Sequence, residues 1–299
     1  MLGRLAYLEA TREARTVDFL DQDILVDGVR LAYRDRGDGD PVVFVHGTPS
    51  YSYEWRHVVP AVEAAGHRVI TYDLLGYGAS ERPLDRDTSV AAQTDVLVRL
   101  LDELGLENPS LITHDIGGAI GQRIAVLHPG RARRLMLIDT VSYDSWPSAT
   151  WQEIIRTRLD HYVATPAQEF DDLLTRQLTM TVTDAANMAG DNLRAFLAPH
   201  RSAVGRVSFF EHQVRHYNST YTQELTDRLG EMTLPVRILW GQEDRWQPTS
   251  YAERLAADIP HAELVVVPGA GHFLMEDDPA RVTQEVLDFL ADAYQGDLK

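Results

Sequence analysis

The feature that most constrains this chain is a strand-to-helix turn with an aspartate at its centre. Residues 109–113 form a short apolar run typical of a buried parallel strand, and apolar residues recur at helical spacing from 120 to 127. Asp115 and Ile116 lie between them, followed by Gly117 and Gly118, which suit a sharp turn crowded on its helix side. The turn predicts either a reactive Asp115 exposed at the carboxyl end of a sheet or an aspartate that merely caps the helix.

Three further apolar runs end in polar turns. The runs 41–45, 236–240 and 262–267 are followed by His46-Gly47-Thr48-Pro49, by Gly241-Gln242-Glu243-Asp244 and by Gly269-Ala270-Gly271-His272. Open α/β sheets build their sites at the carboxyl ends of their strands. Asp115, Asp244 and His272 are therefore candidate catalytic residues, and their order along the chain is that of a nucleophile, acid and histidine triad.

The remaining patterns predict α/β architecture. A hairpin is expected over 17–26 and 29–33, strands over 67–74 and 134–139, and helices over 89–104 and from 279 to about 294. This alternation implies a mostly parallel sheet with helices on both faces. From residue 140 to about 227, helical patterns rich in aromatic residues replace the strands, over a stretch too long for a loop.

In its motifs the chain resembles the α/β hydrolases, specifically the aspartate-nucleophile branch that holds haloalkane dehalogenases and epoxide hydrolases. The motifs are His46-Gly47-Thr48-Pro49 with Ser52-Tyr53-Glu54-Trp55-Arg56, then 73–80, then 114–118, and finally Gly271-His272-Phe273. The resemblance implies an α/β-hydrolase core over residues 1–140 and 228–299, and a helical cap over residues 141–227 inserted above the active site. Thr113 departs from the general hydrolase turn, which prefers glycine two residues before the nucleophile.

An aspartate nucleophile narrows the chemistry. Asp115 is ionised without help from a base, since aspartate has a reference pKa near 3.9. Its attack on an ester carbonyl would give an unstable anhydride, whereas attack on a saturated carbon with a good leaving group gives an ordinary ester. His272 is then expected to act as general base for the water that hydrolyses this ester.

Two carboxylates compete to orient His272. Asp244 lies in a Gly-x-x-Asp turn at the usual hydrolase position, and we favour it. Asp139 ends the strand after the nucleophile, where some members of the resembling branch carry their acid. The backbone N–H groups of Thr48 and Ile116 are expected to form the oxyanion hole.

The leaving group distinguishes epoxide opening from haloalkane dehalogenation. In the resembling branch, dehalogenases hold the halide with a tryptophan beside the nucleophile and with an asparagine or second tryptophan. Ile116 and Thr48 occupy those positions here. We therefore prefer epoxide opening to diols over haloalkane dehalogenation with a non-standard halide site, for which Trp146 or Trp151 would supply the donors.

Epoxide opening requires an acid in the cap, which the resemblance assigns to a late tyrosine, sometimes paired with a histidine. Tyr217, Tyr221 and His216 are the candidates, and the two tyrosines would share one face if 212–221 were helical. His46 is a candidate pocket residue, although hydrogen bonding within its own loop is the simpler role. No zinc site is predicted at His212 and His216, because the glutamate of the helical zinc motif is absent.

Composition limits the partners. The formal charge of −17 disfavours nucleic acids, and the absence of cysteine excludes thiolate metal sites. No apolar run approaches the roughly 20 residues of a membrane span, and no apolar leader is evident, so a cytoplasmic protein is expected. We expect no cofactor or metal, a small neutral or apolar organic substrate with water, and a monomer or homodimer. The same scaffold could also serve a lactone or ester hydrolase, or a non-catalytic ligand-binding protein.

Overall fold

The computed structural model describes residues 19–292 and is built around one eight-stranded sheet. The strands are β1 Gln22–Val26, β2 Val29–Arg36, β3 Pro41–Val45, β4 Arg68–Tyr72, β5 Ser110–His114, β6 Arg134–Ile138, β7 Val236–Gly241 and β8 Glu263–Val267. Their order in the sheet is β1-β2-β4-β3-β5-β6-β7-β8. β2 pairs antiparallel with β1 and β4, and the other pairs are parallel. The mostly parallel α/β sheet predicted from the sequence is confirmed.

Twelve α-helices surround the sheet in the described part of the chain. They are α1 Val59–Ala64, α2 Val90–Glu103, α3 Ile116–Leu127, α4 Ala149–Thr157, α5 Leu159–Val163, α6 Ala167–Thr179, α7 Gly190–Leu197, α8 Ala203–Ser208, α9 Thr220–Gln223, α10 Thr249–Asp258, α11 Leu274–Asp277 and α12 Pro279–Ala291. The first two residues of the predicted hairpin and the end of the predicted last helix beyond residue 292 lie outside the described residues.

Helices lie on both faces of the sheet because the strands alternate apolar side chains between two cores. In β3, Val43 and Val45 face a core shared with Leu97 of α2, whereas Val42 and Phe44 face the core of α12. Complete burial of each such side chain contributes roughly 1.5–3 kcal/mol relative to exposure. Because β3, β5, β6 and β7 pair in parallel, their carboxyl ends lie at the same end of the sheet.

A helical segment lies between β6 and β7. It contains α4 to α9 and, within this fully described stretch, no strand. Phe170, Phe196, Phe209 and Phe210 form its own buried cluster, to which Phe273 of the sheet domain is added. The predicted cap boundaries at residues 141 and 227 fall within this segment, and its status as a separate cap stays a prediction.

Candidate active site

Asp115 lies in a strained turn between β5 and α3. Its backbone has φ 51° and ψ −118°, a conformation that non-glycine residues rarely adopt. A Cβ on Gly117 would lie 2.4 Å from the Val45 carbonyl oxygen, and one on Gly118 would lie 1.9 Å from Thr140 Oγ1. Both glycines are therefore required for the turn. The Asp115 side chain makes no capping hydrogen bond to α3, so the helix-cap interpretation is wrong.

The structure brings Asp115, His272 and Asp244 together. His272 Nδ1 lies 2.8 Å from Asp244 Oδ2, and His272 Nε2 lies 3.5 Å from Asp115 Oδ2. The longer contact is at the outer limit of a hydrogen bond, so it is mainly electrostatic. Asp115 is only 2% exposed. The carboxylate is thus not exposed to bulk solvent, which corrects the expectation from the sequence, but opens onto a cavity that it lines.

Asp244, rather than Asp139, contacts the candidate histidine. Its Oδ1 accepts hydrogen bonds from the N–H groups of Trp246 and Gln247 at 2.7 and 2.9 Å, which leaves Oδ2 for His272. These backbone donors fix the carboxylate and thereby the tautomer and orientation of the imidazole.

Asp139 occupies a different environment. Its Oδ1 accepts the Gly241 N–H at 2.8 Å, and its Oδ2 is buried without a hydrogen-bond partner among the described residues. Burial, together with the neighbouring charge of Asp244, raises the pKa of Asp139 well above its ordinary value. This environment therefore favours the neutral carboxylic acid form of Asp139, next to the residue that contacts His272.

The charges of the site stabilise one another. Burial alone would raise the pKa of Asp115, but the contact with His272 and its charge outweigh this effect, so the pKa of Asp115 is lowered. Burial alone would lower the pKa of His272, but the charge of Asp244 and the contacts with Asp115 outweigh it and the pKa is raised well above its ordinary value. These interactions thus favour an ionised Asp115 beside a protonated imidazole in the free site.

One of the two predicted oxyanion donors already contacts Asp115. The Thr48 N–H donates to Asp115 Oδ1 at 2.8 Å. The Ile116 N–H starts α3 directly after the nucleophile, and the hydrogen bonds of residues 19–292 include none from it. The Thr48 N–H thus lies where it would stabilise charge on the Asp115 carboxyl group, and the oxyanion role of the Ile116 N–H stays a prediction.

A cavity of about 410 Å³ opens above Asp115 and Thr48. This volume suits a small organic ligand. Its walls are mostly apolar and include the predicted residues Trp146 and Trp151, together with Phe209 of the helical segment. Trp246, which was not predicted from the sequence, also lines the cavity, and its ring centroid lies 5.0 Å from that of His272. Its position two residues after Asp244 was the available signal.

Of the three candidate cap acids, the structure places only Tyr217 in this cavity. Its hydroxyl lies 2.8 Å from Thr48 Oγ1, and its ring packs between Trp146 and Trp151. Burial raises the pKa of Tyr217 above its ordinary value. His216 instead contacts Asp87 at 3.1 Å.

Tyr217 and Tyr221 would share a face only if 212–221 were helical, and the structure does not form one helix there. A π-helical turn at Phe209–Gln213 and a 3-10 turn at Val214–His216 precede an extended Tyr217, and α9 begins only after it. Asn218 Oδ1 accepts the Thr220 N–H at 2.9 Å, so a local turn competes with a continuous helix. Tyr221 lies outside the cavity, with its ring centroid 5.7 Å from the guanidinium carbon of Arg123.

His46 does not line the cavity, which corrects its assignment as a pocket residue. Its Nε2 accepts the Leu74 N–H at 2.9 Å and its Nδ1 donates to the Gly47 carbonyl at 2.8 Å. A fully buried, neutral imidazole of this kind stabilises its loop. The His212 nitrogens contact Ser208 and the Pro83 carbonyl, and residues 19–292 contain no group of three or more side chains suited to a metal ion.

Comparison with known proteins identifies the class of this fold and site. Residues 40–279 match the model of the alpha/beta hydrolase fold family, and the chain belongs to that family. It is therefore a hydrolase of the alpha/beta fold, and its relatives are enzymes.

Particular relatives point to more than one chemistry. The chain is similar to a cis-3-alkyl-4-alkyloxetan-2-one decarboxylase from Shewanella oneidensis, with 27% identity over 89% of this chain and 86% of that protein. It is also similar to haloalkane dehalogenase 2 from Mycobacterium bovis, with 28% identity over 87% and 91% of the two chains. An alpha/beta hydrolase fold protein from Burkholderia ambifaria superimposes with a TM-score of 0.84 and 33% identity, covering 90% of this chain and 97% of that one.

Across residues 19–292, no helix combines the length and the apolar character that crossing a membrane requires.

Proposed function

We propose that this protein hydrolyses epoxides to diols through an alkyl ester on Asp115. The observation that carries the proposal is that Thr48 contacts both Tyr217 and Asp115. The Tyr217 hydroxyl lies 2.8 Å from the Thr48 hydroxyl, and the Thr48 backbone N–H donates to Asp115 Oδ1 at 2.8 Å. A nucleophilic carboxylate and a proton donor thus face one cavity. The apolar walls of this cavity support a small neutral or apolar substrate.

In the first step, Asp115 Oδ2 attacks a ring carbon of the epoxide. A carbon–oxygen bond to Asp115 forms, the ring carbon–oxygen bond breaks, and the ring oxygen takes the proton of the Tyr217 hydroxyl. The lowered pKa of Asp115 keeps its carboxylate ionised for this attack. The raised pKa of Tyr217 keeps its proton in place until the strongly basic alkoxide develops. The Thr48 hydroxyl then donates to the tyrosinate.

In the second step, water hydrolyses the ester. Once alkylation has removed the charge of Asp115, His272 releases its extra proton to solvent and becomes neutral. It then takes a proton from water, and the hydroxide adds to Asp115 Cγ, whose oxyanion the Thr48 and Ile116 N–H groups stabilise. The tetrahedral intermediate collapses by breaking the acyl carbon–oxygen bond, and the departing alkoxide takes the proton from His272. The Asp115 carboxylic acid proton returns to the Tyr217 oxygen, which restores the enzyme and releases the diol.

The His272→Gln variant tests the covalent step. Incubated with 1,2-epoxyhexane, it is expected to accumulate one adduct, visible as a mass increase of the intact protein and located on Asp115 by peptide mapping. Turnover without an adduct, undiminished in Asp115→Ala, would refute the mechanism. Diol formation by the wild type confirms the substrate class.

The Tyr217→Phe variant tests the acid. We expect its alkylation by 1,2-epoxyhexane to slow by about 100-fold or more, which is typical of lost general acid catalysis. Alkylation by 1-bromobutane should change far less, because bromide leaves without a proton. Tyr221→Phe is the matched control, since Tyr221 does not line the cavity. Equal effects on the two substrates would remove Tyr217 from the role of acid.

Haloalkane dehalogenation is the second candidate. Two observations favour it: Trp146 and Trp151 line the cavity with Asp115, and a relative at 28% identity is named a haloalkane dehalogenase. Release of free bromide from 1-bromobutane at a higher kcat/KM than diol formation would support this assignment.

Lactone or ester chemistry and simple ligand binding would each give a distinct outcome. The oxetan-2-one in the name of the Shewanella relative is, like an epoxide, a strained ring with a breakable bond between oxygen and saturated carbon. Attack by Asp115 on a lactone at that carbon would again give an adduct. A lactone or ester hydrolase that uses Asp115 as general base would incorporate labelled solvent oxygen into product and never into Asp115. Saturable binding without turnover would indicate a non-catalytic binding protein.

A further inference from the structure

Next to the nucleophile lies a pair of titratable side chains that the proposed reaction does not use. Glu54 belongs to the 3-10 turn Ser52–Trp55, and His114 is the last residue of β5, directly before Asp115. Both side chains are completely buried, and Glu54 Oε1 lies 3.2 Å from His114 Nδ1. We call them the Glu54–His114 pair.

The Glu54–His114 pair connects the three loops of the site. At one end, Glu54 Oε1 accepts the N–H of Gly47, the residue before the oxyanion donor Thr48, at 3.3 Å. At the other end, His114 Nε2 donates to the carbonyl oxygen of His272 at 3.0 Å. A single buried chain of hydrogen bonds therefore runs from the oxyanion loop, past the nucleophile, to the backbone of the candidate base.

Packing tightens this connection. A Cβ on Gly47 would lie 2.6 Å from Asp115 Cβ and 2.9 Å from His114 Nδ1, so the oxyanion loop is pressed against the strand end. The His114 ring centroid lies 5.0 Å from that of His272 and 5.0 Å from that of Phe273. His114 thus contacts the histidine loop through both its ring and its Nε2 hydrogen bond.

The contacts also determine how many protons the pair holds. A carbonyl oxygen only accepts, so His114 Nε2 must carry a proton. His114 Nδ1 faces a carboxyl group, and the contact is satisfied by imidazolium with carboxylate or by imidazole with carboxylic acid. The two arrangements hold the same number of protons and are neutral as a pair. Such a pair is stable in a dry interior, whereas removal of one partner leaves the other without its hydrogen bond.

We propose that Glu54 and His114 are positioning residues that hold the backbone of His272 and thereby place its imidazole for hydrolysis of the alkyl ester. This inference rests on the proposed two-step function. Attack by Asp115 needs no base, so the pair contributes little to alkylation. Hydrolysis depends on the position of the His272 imidazole relative to water and Asp115 Cγ, and a displacement of about 1 Å in such geometry costs about 100-fold.

The test measures the two steps separately with 1,2-epoxyhexane, by rapid quenching and intact-protein mass. In His114→Phe, the ester on Asp115 is expected to accumulate: its hydrolysis slows about 10- to 100-fold while alkylation stays within about 3-fold of the wild type. His114→Gln retains an N–H donor for the His272 carbonyl and should hydrolyse the ester faster than His114→Phe. This order, and the split between steps, would not follow from general loss of stability.

His212→Phe is the matched control for that loss. His212 is also a buried histidine with two hydrogen bonds, but these go to Ser208 and Pro83, away from the candidate triad. In the His212→Phe variant, the ester on Asp115 should not accumulate. Glu54→Met removes the other member of the pair and replaces His114→Phe in the test if that variant does not fold. The ester on Asp115 is again expected to accumulate.

The outcomes separate this inference from the proposed function. If His272→Gln forms an ester but His114→Phe and Glu54→Met hydrolyse theirs at the wild-type rate, the positioning role is overturned and the alkyl-ester mechanism stands. If His272→Gln forms no ester, the mechanism itself fails. Equal slowing of both steps in His114→Phe also overturns the inference, because a positioned His272 serves only the second step.

Discussion

Replacing Asp139 by asparagine is expected to stabilise the protein, and to do so increasingly as the pH rises. Asp139 is completely buried, its Oδ1 accepts the Gly241 N–H, and its Oδ2 has no hydrogen-bond partner in the described structure. Asparagine has nearly the same shape, keeps an acceptor for Gly241 and cannot ionise. The variant therefore removes a titration and little else.

The sign follows from the raised pKa of Asp139, caused by burial and then by the charge of Asp244. Below the unfolded-state pKa, near 3.9, both states hold the proton and the wild type bears no penalty. Above it, the unfolded state releases the proton while the folded state retains it, so wild-type stability falls by about 1.4 kcal/mol per pH unit. The fall ends once the pH passes the folded-state pKa.

Urea denaturation of both proteins between about pH 4.5 and pH 8 measures this effect as the difference in free energy of unfolding. We expect the difference to grow in favour of Asp139→Asn and then level off, and the pH of levelling gives the folded-state pKa. Unchanged m-values would show that both proteins unfold in the same way. A difference that is constant across this range, or that falls as the pH rises, would refute the assignment of Asp139 as a buried neutral acid.

Two further substitutions test the packing around the site. Gly118→Ala places a Cβ 1.9 Å from Thr140 Oγ1, so we expect a loss of about 1–3 kcal/mol in the free energy of unfolding, measured in urea; an unchanged midpoint would show that the turn adapts freely. Arg56 makes two hydrogen bonds of 2.6 Å to Glu276, whose side chain is 3% exposed. Arg56→Met should cost about 3–5 kcal/mol because it removes the charge partner of this buried carboxylate and leaves it the Asn192 amide as a neutral donor at 2.8 Å. A shift of less than about 1 kcal/mol would indicate that water reaches Glu276.

The sheet and the nucleophile turn were predictable because local rules determine them. Strands buried on both faces give continuous apolar runs, and the crowded turn after Asp115 admits only glycine at 117 and 118. The choice of Asp244 over Asp139 also followed from a local signal, the Gly-x-x-Asp turn. In each case a short sequence pattern carries the signal, although the contacts themselves join distant residues: Asp244 contacts His272, 28 positions along the chain, and Gly118 faces Thr140.

The different positions of the candidate acids Tyr217 and Tyr221, and the Glu54–His114 pair, were not predictable in the same way. Segment 212–221 has helical composition, yet a π-helical turn and the side chain of Asn218 divide it, and this separates Tyr217 from Tyr221. Glu54 and His114 both stand in recognised motifs, but their contact joins residues 60 positions apart. Nothing in either motif indicates that the two side chains meet, because tertiary packing alone brings them together.

The electrostatics of the site give a last prediction, which concerns the timing of base catalysis. In the free enzyme, the pKa of His272 is raised by the charge of Asp244 and by the contacts with Asp115, despite the opposing effect of burial. A histidine protonated in this way cannot take a proton from water. In the proposed mechanism, alkylation converts Asp115 into a neutral ester and removes one of the two negative charges beside the imidazole. The pKa of His272 then falls, so the imidazolium gives its extra proton to solvent and becomes a base; it takes up a proton again when the Asp115 carboxylate re-forms.

Two titrations test this sequence of events. The pKa of His272 in the free enzyme is measured by NMR, and that of the alkyl-enzyme by the pH dependence of ester hydrolysis after a rapid pH jump. We expect the rate of ester hydrolysis to rise with pH, and the pKa of His272 read from this rise to be lower than its pKa in the free enzyme. Equal values would mean that Asp115 contributes nothing to the His272 titration. In that case the 3.5 Å contact between Asp115 Oδ2 and His272 Nε2 would not couple the two steps, and Asp244 alone would determine the charge of the histidine.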